Sequence, residues 1–227
     1  MAELRKNPTR WDISTAALVL ANATPLVGVF LMHWQVFPLL LLYWLENVIV
    51  GVFNVLRMVC ADPTDPGGWI GKFFLIPFFC VHYGMFCFVH GIFVFALFGG
   101  SQYNATAFHV WGNVLPAIQR TGLGFAALSI ASSHGVSFAV NYIHGGEYRH
   151  VSLSQLMTQP YTRIMVMHFT ILLGGFAMMA LHSPVYGLLM LVAVKTGVDV
   201  AAHRKERERL GSGWPVMPAE EQPAKIA

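Results

Sequence analysis

Six long apolar stretches occupy most of the chain, and each is long enough to cross a bilayer as a helix. They cover roughly residues 12–32, 36–58, 72–98, 123–144, 162–182 and 184–203. Because about 20 apolar residues in helical form span the hydrocarbon core, this pattern predicts an all-α bundle of six transmembrane helices. The first two spans and the last two are joined by very short turns, near Trp34 and at Ser183-Pro184, which predicts two antiparallel hairpins.

The segments between and after the spans follow other patterns. Residues 107–119 place apolar side chains on one helical face, which favours a short helix lying on the outer membrane surface. Residues 145–160 begin with Gly-Gly and end with Gln-Pro-Tyr, and we interpret them as a cytoplasmic loop. We therefore expect residues 1–205 to form one transmembrane domain and residues 206–227 to form a charged, then disordered cytoplasmic tail.

The composition agrees with a membrane protein. The 227 residues are 56% hydrophobic and only 11% charged, whereas an ordinary soluble domain carries about 25% charged residues. Three cysteines without a close pair argue against a disulfide framework or a thiolate zinc module.

The basic residues predict the orientation. Of the 14 Lys and Arg residues, all but Arg120 fall on one side of the predicted spans. Since basic residues accumulate on the cytoplasmic side, both termini are predicted to be cytoplasmic. No basic face lies outside these membrane flanks, so the lipid bilayer is the expected partner and nucleic acid is not. The sequence leaves oligomerisation open.

Ionisable side chains inside five of the spans are the strongest functional signal, because they are costly in hydrocarbon. Counting 1.5 Å per residue from the membrane edges places several of them near one depth, together with the polar stripe of the second span. The predicted pocket consists of Glu46, Asn54, His82, His134, His168, Lys195 and Asp199. In the fourth span, His134, Ser137, Asn141 and His144 are spaced to form one polar stripe.

Several short motifs add a resemblance to this picture. They include Tyr43-Trp44-Leu45-Glu46-Asn47, His82-Tyr83-Gly84, Pro160-Tyr161 with Arg163, and Lys195-x3-Asp199-x3-His203. In combination, over residues 36–205, the chain resembles an uncharacterised family of bacterial multi-pass membrane proteins, defined as a domain of unknown function. The resemblance implies a protein of the bacterial inner membrane and implies no activity, substrate or cofactor.

A metal centre is the first functional hypothesis. Neutral imidazole suits iron, copper and zinc, so His82, His134, His168 and His90 are the candidate ligands, with Glu46 or Asp199 as a carboxylate. Such a centre would make the chain a metal-dependent membrane protein, plausibly an oxidoreductase. A b-type haem is a variant of this hypothesis, with His82 facing His134 or His90 facing His182.

Two further hypotheses use the same residues differently. Chains of Glu, Asp, His and Lys are what proton relays use, so the second is a small proton-coupled transporter or channel in which Lys195 pairs with Asp199 or Glu46. The third is a structural or assembly subunit, in which Glu46–Lys195 and Asp199–Arg163 are static ion pairs. The sequence does not indicate the substrate or transported species under any of the three.

Overall fold

The computed structural model describes residues 27–31, 35–62, 66–103, 109–149, 151–183 and 185–212. Within these ranges the regular structure is entirely helical, which confirms the all-α prediction. The helices are α1 (Val36–Cys60), α2 (Pro66–Phe98), α3 (Val110–Thr121), α4 (Gly124–Ser137), α5 (Leu153–Thr158), α6 (Tyr161–Leu181) and α7 (Val185–Ser212). A π-helical segment, Phe138–His144, continues α4, and a 3-10 turn covers Glu147–Arg149.

Three helical segments are long and apolar enough to cross a membrane: Val36–Cys60, Gly68–Phe98 and Leu153–Leu181. A fourth span results if α3 and the helix Gly124–His144 count as one, although they meet at a bend of 112°. The described chain therefore has the character of a membrane protein with three or four candidate spans. The first predicted span, 12–32, lies almost wholly outside the described residues, so the number six and the orientation of the termini stay predictions.

Trp44 fixes the packing of α1 against α2. Its indole ring is fully buried, and Nε1 donates a hydrogen bond to the backbone carbonyl of Cys87 at 2.7 Å. The ring lies directly on Gly91, where a Cβ atom would come within 2.7 Å of the indole. Since only glycine leaves room for this approach, Gly91 sets how closely the two helices pack.

The helices α6 and α7 form a close hairpin, as the sequence predicted for the last two spans. A Cβ atom on Gly174 would lie 2.7 Å from the Cα atom of Gly187 across the interface. Small residues at such contacts let helix backbones approach each other in bilayers. The face of α7 that carries Leu188, Leu191 and Val192 is buried in the same hydrophobic core as Trp44.

The segment 145–160 is not the open loop that the sequence predicted. It contains α5, which begins with a capping box between Ser152 and Gln155 and buries Leu153 and Leu156. The amide of Asn54 donates a hydrogen bond to the carbonyl of Leu156 at 2.8 Å and so ties this segment to α1. Six residues carry too few apolar positions to reveal a helix by periodicity, which explains the error.

Two other predicted segments begin or end a few residues away from their predicted limits. The predicted surface helix 107–119 corresponds to α3, which is terminated by Gly122 in the left-handed conformation (φ 70°). Helix α7 continues past the predicted domain boundary at residue 205 to Ser212. Residues 213–227, predicted as a disordered tail, lie outside the described chain.

The contact between Trp44 and Gly91 predicts unequal effects of alanine at two glycines of α2. Gly91→Ala forces a methyl group against the rigid indole, so it should lower the free energy of unfolding by about 1–3 kcal/mol, the usual cost of overpacking. A Cβ atom on Gly84 meets nothing within 4 Å, so Gly84→Ala should leave stability unchanged or slightly higher. Denaturant titration in detergent checks both, and equal losses in the two variants would contradict the role of Gly91.

Candidate functional site

An ion pair lies halfway along α1. The Nη2 atom of Arg163 lies 2.6 Å from Oε2 of Glu46, and the two side chains are 35% and 27% exposed. Glu46 lies beside the buried stripe of α1 that includes Tyr43, Asn47 and Asn54. Arg163 lies near the start of α6 but ten residues inside the candidate span Leu153–Leu181. Both charges are therefore placed well within the helical bundle.

A second ion pair lies on α7. The Nζ atom of Lys195 lies 3.3 Å from Oδ2 of Asp199, one helical turn later. Positions 188, 192, 195 and 199 follow one another at helical spacing, so this pair continues the buried face of Leu188 and Val192. The transport hypothesis suggested either Asp199 or Glu46 as the partner of Lys195, and in the structure Lys195 pairs with Asp199.

Tyr43 lies beside the first ion pair and within the electrostatic influence of the second. The guanidinium of Arg163 lies 5.7 Å from the centroid of its ring. The charges of Glu46 and Asp199 both act on its hydroxyl group, so the carboxylate of α7 lies in the neighbourhood of this tyrosine. We call Tyr43, Glu46, Arg163, Lys195 and Asp199 the charged cluster. It carries two acidic and two basic groups and is formally neutral.

The ion pairs in this cluster join different partners from those that the structural-subunit hypothesis predicted. The sequence suggested Glu46 with Lys195 and Asp199 with Arg163, whereas Glu46 contacts Arg163 and Asp199 contacts Lys195. The prediction was wrong about Arg163 because span 162–182 placed it at the cytoplasmic edge. In the structure, α5 and α6 together form the candidate span Leu153–Leu181, which begins ten residues before Arg163.

A pair of histidines forms a separate polar contact between α2 and α6. The Nε2 atom of His90 lies 3.1 Å from Nδ1 of His168, and we call these two residues the imidazole pair. His82, two turns earlier on α2, makes a different contact, since its Nδ1 lies 2.6 Å from the hydroxyl of Tyr161. The phenyl ring of Phe86 packs against both His82 and His90.

The seven residues predicted to line one pocket therefore have partners of several kinds. Glu46, Lys195 and Asp199 belong to the charged cluster, and His168 belongs to the imidazole pair. Asn54 anchors α5, and His134 stacks on Phe53 with ring centroids 6.0 Å apart. In the described part of the chain, the side chains of α4 are half-buried or exposed and none is fully buried.

The predicted metal ligands are not gathered into one group. Among the described residues, no three His, Cys, Asp or Glu side chains are arranged to hold a metal ion. Of His82, His134, His168 and His90, only His90 and His168 contact each other, and two imidazoles fall short of the three or four ligands of typical sites. The suggested haem pairs are not formed either, because His82 and His90 bond to Tyr161 and His168 instead.

The pocket predicted from the sequence did not include three residues of these centres: Tyr43, Tyr161 and Arg163. Tyr43 was assigned only to the polar stripe of the second span, and Arg163 was considered only as a static partner of Asp199. Tyr161 and Arg163 stand in the Pro160-Tyr161-x-Arg163 motif, which was the one available signal for them. Periodicity alone could not single them out, since tyrosine and arginine near a helix end are ordinary membrane-surface residues.

The ion pair on α1 predicts energetic coupling between its two members. Either Glu46→Gln or Arg163→Gln leaves one half-buried charge without its partner, so each should lower the free energy of unfolding. The double variant removes both charges and should lose less than the sum of the two. We expect a coupling energy of about 1 kcal/mol, within the usual range for contacting residues. Denaturant titration of the two single variants and the double variant measures this coupling energy. Additive losses would show that Glu46 and Arg163 do not stabilise each other.

Comparison with known proteins assigns the chain to a family without assigning an activity. No curated protein matches the chain, and no solved structure matches it either. One family model does match, and it covers residues 4–212 of the 227 in the chain. The charged cluster, the imidazole pair and all seven helices lie inside this range. The chain therefore belongs to the family of unknown function DUF6498.

Proposed function

We propose that this protein carries protons through the bilayer, with Glu46 as the group that takes up and releases the proton. The observation that carries the proposal is the Glu46–Arg163 ion pair, 2.6 Å across and halfway along a candidate span. Ionisable side chains at such positions are expensive in hydrocarbon and usually serve transport or relay functions.

Protonation changes the charged cluster in a definite way. The cluster is neutral when Glu46 is ionised, because two carboxylates balance two cations. A proton on Glu46 removes the attraction that holds Arg163, and the cluster then carries one net positive charge. The released guanidinium still has the ring of Tyr43 beside it, 5.7 Å from its carbon atom, and a cation is favourable over such a face. Arg163 therefore keeps one favourable contact in its present position while Glu46 is protonated.

Asp199 supplies a second proton acceptor. Its charge reaches the hydroxyl of Tyr43 together with that of Glu46. Lys195 balances Asp199 at 3.3 Å, as Arg163 balances Glu46. In this proposal the two carboxylates are the stations for the proton, and the hydroxyl group of Tyr43 is the group through which it passes from one to the other. Tyr43 is proposed as a positioning residue that also relays the proton.

The competing hypotheses rank below proton transfer. A metal-dependent oxidoreductase would need ligands that converge, and the histidines of the described chain contact one another only as a pair. A structural subunit would have the same ion pairs but would carry no protons, so a measurement of proton flux distinguishes it from a transporter. As part of the same proposal, both termini face the cytoplasm of a bacterial cell, and the protein lies in the inner membrane.

Proton flux into proteoliposomes tests this function. Purified protein is reconstituted with an internal pH-sensitive dye, and a potassium diffusion potential drives protons inward. The wild-type protein should acidify the interior faster than empty vesicles, and Glu46→Gln should lower that rate by about tenfold or more because the amide cannot bind the proton. Glu147→Gln is the matched control, since Glu147 lies exposed in the 3-10 turn outside the charged cluster, and it should conduct like the wild type.

Two results would overturn the proposal. Wild-type vesicles that acidify no faster than empty ones would favour the structural subunit. Equal rates for the wild type and Glu46→Gln would show that any flux bypasses this carboxylate. The variant's fold is checked by its thermal midpoint in detergent.

A further inference from the structure

One side of α1 is left open by the other helices of the described chain. Its remaining sides are occupied, since Trp44 lies against α2, Phe53 stacks on α4 and Asn54 is bonded to α5. The large apolar side chains of α1 that are exposed stand together at helical spacing, and each is 40–55% exposed: Val52, Leu56 and Val59. We call these three residues the open stripe.

The chain reaches α1 from a helix that comes directly before it. Residues 27–31 are helical and α1 begins at Val36, so only four residues lie between the two helices. Connections this short join antiparallel neighbours in helical bundles. Val29 also packs against the hydrophobic core that includes Leu40 and Leu41 of α1. The helix that ends at residue 31 is therefore a direct neighbour of α1.

Residues 27–31 also show which face of this helix points toward the bundle. Gly28 is buried, whereas Phe30 and Leu31 are more than half exposed. Steps of three and four residues toward the N-terminus place a row of small side chains on the face of Gly28: Thr24, Ala21, Ala17 and Ser14. Small residues let helix backbones approach each other closely in bilayers. The segment before residue 27 thus carries a face suited to packing against another helix.

The length of this segment matches the position of the open stripe. Residues 12–26 continue the apolar run of the chain without a charged residue after Asp12. Sixteen residues back from Leu31 is Thr15, and sixteen residues on from Val36 is Val52. Because both helices rise by the same amount per residue, an antiparallel helix places Thr15 at the depth of Val52.

We propose that residues 12–26 form a helix that packs antiparallel to α1 and covers the open stripe. Its small face, from Thr24 to Ser14, lies against α1. The other sides of α1 already contact described helices, so this is the side on which a direct neighbour fits. The helix that carries Glu46 then has protein around it at the depth of Val52. This placement does not rest on the proposed proton flux.

Cysteine cross-linking in native membranes tests the placement. The three native cysteines are first replaced by alanine, and Ser14→Cys is combined with Val52→Cys. Oxygen oxidises the two thiols to a disulfide and is itself reduced to water, with copper–phenanthroline as the catalyst. A disulfide requires Cα atoms within about 7 Å of each other, so we expect this pair to link within one chain. Mass spectrometry of the joined peptides identifies the link.

A cysteine on the opposite face of the same segment is the matched control. Ala16 lies two residues after Ser14, which turns its side chain about 200° around the helix. The pair Ala16→Cys with Val52→Cys should therefore link about tenfold less than the pair with Ser14→Cys. Equal linking of the two pairs would contradict the proposed face and overturn the proposal.

A second position tests the main alternative, in which the segment lies on the outer side of α4. Val136 is exposed there, at the depth of Phe53, which contacts His134 and Phe138 on either side of it. A link from Ser14→Cys to Val136→Cys, and none to Val52→Cys, would overturn the proposal. A Ser14–Val52 link found only between two chains would assign the open stripe to a second copy and overturn it as well.

A photoreactive side chain gives the same answer with the native cysteines in place, in case their removal prevents folding. With p-benzoylphenylalanine at Val52, illumination should join α1 to the peptide that contains residues 11–18 of the same chain. Adducts with lipid alone would show that the open stripe faces the bilayer and would overturn the proposal.

Discussion

The indole of Trp44 determines how the two central helices of this protein lie against each other. A hydrogen bond to the carbonyl of Cys87 fixes the position of Trp44 along α2, and Gly91 fixes its distance from that helix. Glu46 stands two residues after Trp44, and His90 stands one residue before Gly91. The same contact therefore sets the height of the charged cluster on α1 and of the imidazole pair on α2. Helix α6 then completes both centres, because it contributes Arg163 to one and His168 to the other.

The two centres solve the problem of polarity inside a bilayer in different ways. The charged cluster is ionised and keeps its charges in balance, with each carboxylate next to a cation. The imidazole pair is small and lies against hydrocarbon, and a single hydrogen bond connects its members. Phe86 separates this pair from the contact between His82 and Tyr161. The polar groups thus occur as local pairs, and a converging shell of the kind that a metal ion requires is not assembled within the described ranges.

The sequence predicts the helices of this fold better than it predicts the contacts between them. The apolar runs locate α1, α2, α6 and α7, and the polar stripe that includes Tyr43 and Asn54 is buried as expected. Partners could not be predicted, because depth counted along a helix does not tell which way a side chain points. The stripe from His134 to His144 shows a second cause: the π-helical segment beginning at Phe138 turns less per residue than an α-helix. Residues after it therefore rotate away from the face that an α-helical spacing implies.

The end of α1 has a consequence for how the protein is made. The ammonium group of Lys72 lies 2.8 Å from the carbonyl of Val59 and 2.6 Å from that of Ala61, so it closes the turn between α1 and α2. The predicted orientation of the chain also counts Lys72 among its cytoplasmic basic residues. If that prediction is correct, a charge change at Lys72 alters both the orientation of the chain and the contact between the end of α1 and the start of α2. The exposed Arg149, whose side chain contacts its neighbour Tyr148, carries a basic charge on the same predicted side without joining α1 to α2.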